Sequence, residues 1–155
     1  MLRKAATASV AIVVTLITVF LAPTPAQAGN GDVSSTATVS SMSFSAGGVV
    51  RSELRNATIT FWKNTLDGSY WITVTAQIRD RSTDGWCAKA RYSSGWATPW
   101  GYECNAVWKT FSATLADAPC TCGHSLDLYL GRGSSSGTTF ADSYTFRRVN
   151  APSGW

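Results

Sequence analysis

Three sets of residues in this chain carry groups that could do chemistry. Cys120, Cys122 and His124 form a C-x-C-x-H run. In an extended segment that spacing would set two thiolates and an imidazole on one side, a donor set suited to copper or zinc. Gly133-Ser134-Ser135-Ser136-Gly137 satisfies the G-x-S-x-G pattern of a nucleophile elbow. That motif needs a strand-to-helix turn and a His base later in the chain, whereas the only His precedes the central Ser135. The segment therefore reads as a hairpin turn. Asp80, Asp84, Glu103, Asp117 and Asp127 could in number supply the two carboxylates of a glycosidase. None stands in a recognisable spacing, and Asp84-Gly85 is turn chemistry, in which the carboxylate caps local backbone groups. No catalytic set and no cofactor are expected.

The aromatic residues offer binding rather than reaction. Trp96 and Trp100 fall on an expected loop punctuated by Gly95, Pro99 and Gly101, with Tyr102 following. Rings on a loop held by a disulfide lower the ordering cost of binding a glycan or a protein partner; the alternative is a loop that buries its own rings. Trp62 and Trp71 form a second set. Their indoles could stack on sugar rings across a hydroxyl-lined sheet, unless another strand or the tail ending in Trp155 covers them.

Strands must position these residues. Ala57, Ile59 and Phe61 alternate with Thr58, Thr60 and Trp62, and Tyr70, Ile72, Val74, Ala76 and Ile78 alternate with Trp71, Thr73, Thr75, Gln77 and Arg79. With Asp67-Gly68 between them, the two runs predict an antiparallel hairpin. Parity keeps Trp62 and Trp71 on one face, opposite Phe61, Ile72 and Val74. Further strands are predicted over 36–45, 49–55, 86–92, 102–115, 125–130 and 139–148, with Gly, Ser and Pro clusters between them. No amphipathic helix is apparent. The expected fold is all-β, an antiparallel sandwich of seven to eight short strands, with a small barrel as the alternative.

The compartment follows from the N-terminus. Leu2, Arg3 and Lys4 open the chain, residues 5–22 are apolar apart from scattered Ser and Thr, and Ala26-Gln27-Ala28 supplies a small-residue cleavage site. Residues 1–28 are thus expected to be a cleaved secretory signal, 29–36 a flexible lead-in and 37–155 one domain. The product is expected to be extracellular, monomeric and free of the membrane. In an oxidising compartment Cys87, Cys104, Cys120 and Cys122 predict two disulfides. The favoured pairing is Cys87 with Cys104 and Cys120 with Cys122, the crossed pairings remaining open. Disulfides compete with the metal reading of Cys120, Cys122 and His124.

Beyond residue 28 the chain holds 21 Leu, Ile, Val and Phe, against 33 Ser and Thr. So few aliphatics approach the disordered range, but all seven Trp and five Tyr lie there too, and their burial can complete a core. Eleven Lys and Arg against nine Asp and Glu in this portion leave an excess of only +2, too small for a nucleic-acid footprint. A charged residue share of 14% excludes a coiled coil. In style, the export segment, the Asp84-Gly85-Trp86-Cys87-Ala88 junction and the hydroxyl-rich strands resemble small secreted proteins of actinobacteria. Secreted amylase and protease inhibitors share the small, two-disulfide, all-β build, although no inhibitory motif matches residue by residue. Three functions compete: a non-enzymatic glycan-binding protein using these aromatics, an inhibitor or toxin-like protein acting on an extracellular protein, and a small hydrolase.

Overall fold

The computed structural model describes residues 29–94, 98–116 and 125–153. Eight strands fill two antiparallel sheets: β1 (Asp32–Ala46), β2 (Val49–Asn64), β3 (Tyr70–Asp80), β4 (Cys87–Ser93), β5 (Trp100–Glu103), β6 (Lys109–Ala116), β7 (Ser125–Gly133) and β8 (Tyr144–Asn150). The first sheet runs β1-β2-β3-β6 and the second β5-β4-β7-β8. No helix occurs among the described residues. The sandwich expected from the strand periodicity is the observed fold.

Alternation builds the core. Ile59, Phe61, Ile72, Val74, Ile78 and Leu115 point inward from the first sheet, and Tyr92, Leu126, Leu128 and Leu130 from the second, all at most 1% exposed. Burying a large apolar side chain contributes roughly 1.5–3 kcal/mol. Tyr92 and Phe111 stack across the interface at 5.5 Å, so aromatic rings do fill part of the volume that scarce aliphatics leave. Burial pushes the Tyr92 phenol pKa up, and its hydroxyl has no hydrogen-bond partner among the described residues. Two side chains tie the sheets together. The buried Ser52 hydroxyl donates to the Gly131 carbonyl at 2.7 Å, and Thr145 Oγ1 donates to the Ser43 carbonyl at 2.9 Å.

Several boundaries differ from the sequence expectation for identifiable reasons. The runs at 49–55 and 57–62 belong to one strand, because Asn56, at φ 52°, makes a bulge between them. An extra residue shifts the parity, so Leu54 and Ala57 both face the core. The single run predicted over 102–115 is two strands in different sheets, with residues 104–108 carrying the chain from one sheet to the other. The lead-in segment contributes its last residues to β1, which starts at Asp32 and pairs with Asn64. β8 starts only at Tyr144, so residues 139–143 belong to the connection before it.

Cys87, at the start of β4, is joined to Cys104, just beyond β5. That is the favoured pairing. Cys120, Cys122, His124, Trp96 and Trp155 lie outside the described residues, and with them the second disulfide and the C-x-C-x-H metal reading. Among the described residues no group of three His, Cys, Asp or Glu could hold a metal.

Candidate functional site: aromatic and hydroxyl faces of the sandwich

The hairpin places Trp62 directly opposite Trp71, on the outer face as parity requires. Their ring centroids are 5.7 Å apart and their planes 2° from parallel, and Trp62 Nε1 donates to Thr73 Oγ1 at 3.0 Å. Each indole is half-buried and turns one face to its neighbour, which leaves less ring area for a sugar than two open platforms would. Beside the pair run two cross-strand rows of hydroxyls, Thr36–Thr60–Thr73–Thr114 and Thr38–Thr58–Thr75–Ser112. Their side chains hydrogen-bond laterally, Thr75 to Ser112 at 3.0 Å and Thr36 to Thr60 at 3.4 Å.

The outer face of the second sheet carries a denser aromatic surface. Trp100, Arg91, Tyr129 and Phe146 stand in one row across β5, β4, β7 and β8. The adjacent row is Tyr102, Lys89, Gly131 and Tyr144. Because Gly131 has no side chain, the ring of Phe140, from the connection between β7 and β8, lies directly on the strand; a Cβ there would meet Phe140 Cδ1 at 2.6 Å. Phe140 thereby links Trp100, at 5.0 Å between centroids, to Tyr144, at 5.2 Å. Tyr144 meets Tyr129 edge-on at 5.1 Å, and Tyr129 meets Phe146 at 5.1 Å. The result is a continuous strip of five rings. Tyr144 and Phe146 are about half exposed, and Trp100, Tyr129 and Phe140 are partly covered.

Two cations support the strip. The Arg91 guanidinium lies 4.0 Å from the Tyr129 ring and 5.5 Å from that of Trp100. Its buried Nε has no hydrogen-bond partner among the described residues. Lys89, 1% exposed, donates from Nζ to the Ser134 carbonyl at 2.8 Å and to the Gly137 carbonyl, and lies 5.2 Å from the Trp100 ring. Desolvation of the ammonium pushes the Lys89 pKa down. This lysine fastens the G-x-S-x-G segment to β4. Ser134 Oγ there accepts from the Gly137 amide at 3.0 Å, as a turn hydroxyl does.

The sequence-predicted residues thus separate. Trp100 enters the strip. Tyr102 shares its face but sits beside Lys109, whose ammonium is 5.4 Å from the Tyr102 ring. Trp62 and Trp71 occupy the opposite sheet. Sequence reasoning passed over Arg91, Tyr129, Phe140, Tyr144 and Phe146. The two-residue spacing of Tyr144 and Phe146 was a usable signal, since it puts both rings on one face of a strand.

A comparison with protein families, with curated proteins and with solved structures finds no match for this chain.

Proposed function

We propose that this is a secreted, non-enzymatic carbohydrate-binding protein that contacts its ligand through the aromatic strip of Trp100, Phe140, Tyr144, Tyr129 and Phe146. The observation that carries the reading is the continuity of the five rings on one sheet face. The apolar C–H face of a pyranose packs on such rings, and rings fixed on strands lose little entropy on binding. Tyrosine hydroxyls and the Asp127–Arg148 pair, whose Arg148 Nε lies 2.7 Å from Asp127 Oδ1, border the strip and suit sugar hydroxyls. Glu53, Asp84, Asp127 and Asp142 are each paired with a guanidinium, which favours recognition over acid–base chemistry. Secretion rests on the basic, apolar and small-residue order of the N-terminal segment.

The test is retention on a panel of insoluble polysaccharides, including cellulose, chitin and xylan. Trp100→Ala with Tyr144→Ala is expected to lower retention at least tenfold, while Trp62→Ala with Trp71→Ala leaves it nearly unchanged. Undiminished retention by the first variant refutes the strip as the site. Trp, Tyr and Arg together are also the composition of protein-interface hot spots, which favours the extracellular protein target as the second reading. That reading predicts a stoichiometric complex with one member of a hydrolase panel and no retention on polysaccharide.

A further inference from the structure

On the far side of the sandwich, at the end of the outer face remote from Trp62 and Trp71, lies a cleft of about 450 Å³. Ligand sites commonly span roughly 300–1,000 Å³. Its polar and aromatic lining is Ser41 and Ser43 of β1, Glu53 and Arg55 of β2, Arg79 of β3, and Trp108. Register explains their convergence. Ser41 lies opposite Arg55, Ser43 opposite Glu53, and Glu53 opposite Arg79. Trp108 precedes β6 with the same parity as Thr110, which pairs with Gln77, so its indole rises beside Arg79 and leans across β3 toward β2. The Arg55 and Arg79 guanidinium carbons then sit 4.0 and 4.5 Å from the Trp108 ring.

The two arginines are not equivalent. Arg79 is committed: its Nε and Nη2 both bond Glu53 Oε2, at 3.1 and 2.5 Å. Arg81 approaches the same oxygen at 3.7 Å, so two guanidiniums share one carboxylate. Arg55 donates from Nε to Gln77 Oε1 at 2.9 Å. Among the described residues no carboxylate pairs with it. One hydrogen bond and one ring therefore hold the guanidinium in place, with its terminal N–H groups left for a ligand. A planar guanidinium fixed in this way matches a carboxylate through two parallel hydrogen bonds.

We infer that this cleft is a second ligand site, separate from the aromatic strip, and that it takes the carboxylate of an acidic sugar residue. Arg55 grips the carboxylate, Trp108 walls the ring of the sugar, and Ser41, Ser43 and Glu53 meet its hydroxyls. The local excess of positive charge favours an acidic unit over a neutral one.

Calorimetric titration of the whole secreted protein with trigalacturonate, and with its fully methyl-esterified form, tests the site. The acid is expected to bind at least tenfold more tightly than the ester. Arg55→Gln and Arg55→Lys should each lower affinity for the acid tenfold or more, the second because an ammonium keeps the charge without the fork. In the unaltered protein, amide and indole shifts on titration should centre on Ser41, Arg55 and Trp108. The strip variant Trp100→Ala with Tyr144→Ala is expected to leave this binding unchanged, so failure at one surface is distinguishable from failure at the other. Equal binding of acid and ester, absence of binding by the acid, unchanged affinity in both Arg55 variants, or shifts centred on the strip would each overturn the inference. Competition by inorganic sulfate as effective as that by free galacturonate would overturn the carboxylate assignment.

Discussion

Gly131→Ala is a small change whose sign the geometry decides. The backbone at Gly131 has no positive φ, so alanine fits the strand, and replacing an interior glycine would by itself stabilise by about 0.4–1 kcal/mol through the unfolded chain. The new Cβ, however, would stand 2.6, 3.0 and 3.2 Å from Phe140 Cδ1, Cε1 and Cγ, the first closer than Cβ atoms approach and the other two tight. If the ring stays, overpacking costs about 1–3 kcal/mol. If it swings away, the contacts to Trp100 and Tyr144 are lost, each worth about 0.5–1.5 kcal/mol beyond buried area. At central values each route costs about 2 kcal/mol against a gain of about 0.7, and the net loss is about 1 kcal/mol. Equilibrium urea unfolding, followed by far-UV dichroism and by Trp fluorescence, measures it. The same substitution in a Phe140→Ala background should be neutral or slightly stabilising, because the obstacle is gone. Equal stability of Gly131→Ala and the unaltered protein, or an equal loss in both backgrounds, would refute the assigned contact.

Two further outcomes follow from the covalent and ionic framework. Removing the Cys87–Cys104 bridge, which spans 17 residues, by Cys87→Ala with Cys104→Ser should lower unfolding free energy by about 3 kcal/mol from loop closure. A change in the urea midpoint worth under about 1 kcal/mol would contradict that estimate. Asp84 supplies a pH dependence: partial desolvation pushes its carboxyl up, but bonds from the Trp86 amide, Ser82 and Arg132, with the charge of Arg132, hold it below the ordinary 3.8. A lowered folded value stabilises above 3.8 and is lost as pH falls through the folded value. Asp80, raised by burial, acts in the opposite sense, so the readout is the difference between the unaltered protein and Asp84→Asn, which should narrow toward low pH. A difference independent of pH would count against it.

Legibility in the sequence tracked how local the determining contacts are. The β2–β3 hairpin was readable because only five residues join its strands and turn chemistry fixes the pairing, with Gly68 at φ 75° and the Asn64 amide bonded to the Ser69 carbonyl at 2.9 Å. The Trp62–Trp71 pair came with it. The bulge at Asn56 was not readable, since a one-residue parity shift looks like the end of one strand and the start of another. The strip was hidden for a stronger reason. Arg91 and Tyr129 meet because β4 pairs with β7 across a long intervening stretch, and Phe140 joins them from an irregular connection. Periodicity carries no information about either event. Trp108 was visible as one aromatic among several, but its place over Arg55 and Arg79 depends on where β6 docks.

The hydroxyl rows of the first sheet bear on how the surface responds to salt. Charged residues are 14% of this chain, against about 25% in typical domains, so few charged side chains are available to its surface. Across β1, β2, β3 and β6 the two rows present neutral Thr and Ser hydroxyls on the outer face instead of lysine and glutamate. Charge repulsion fades as salt shortens its range; hydration by hydroxyls does not depend on that range. Association through such a face is expected to change little across ionic strengths that alter a charge-stabilised surface.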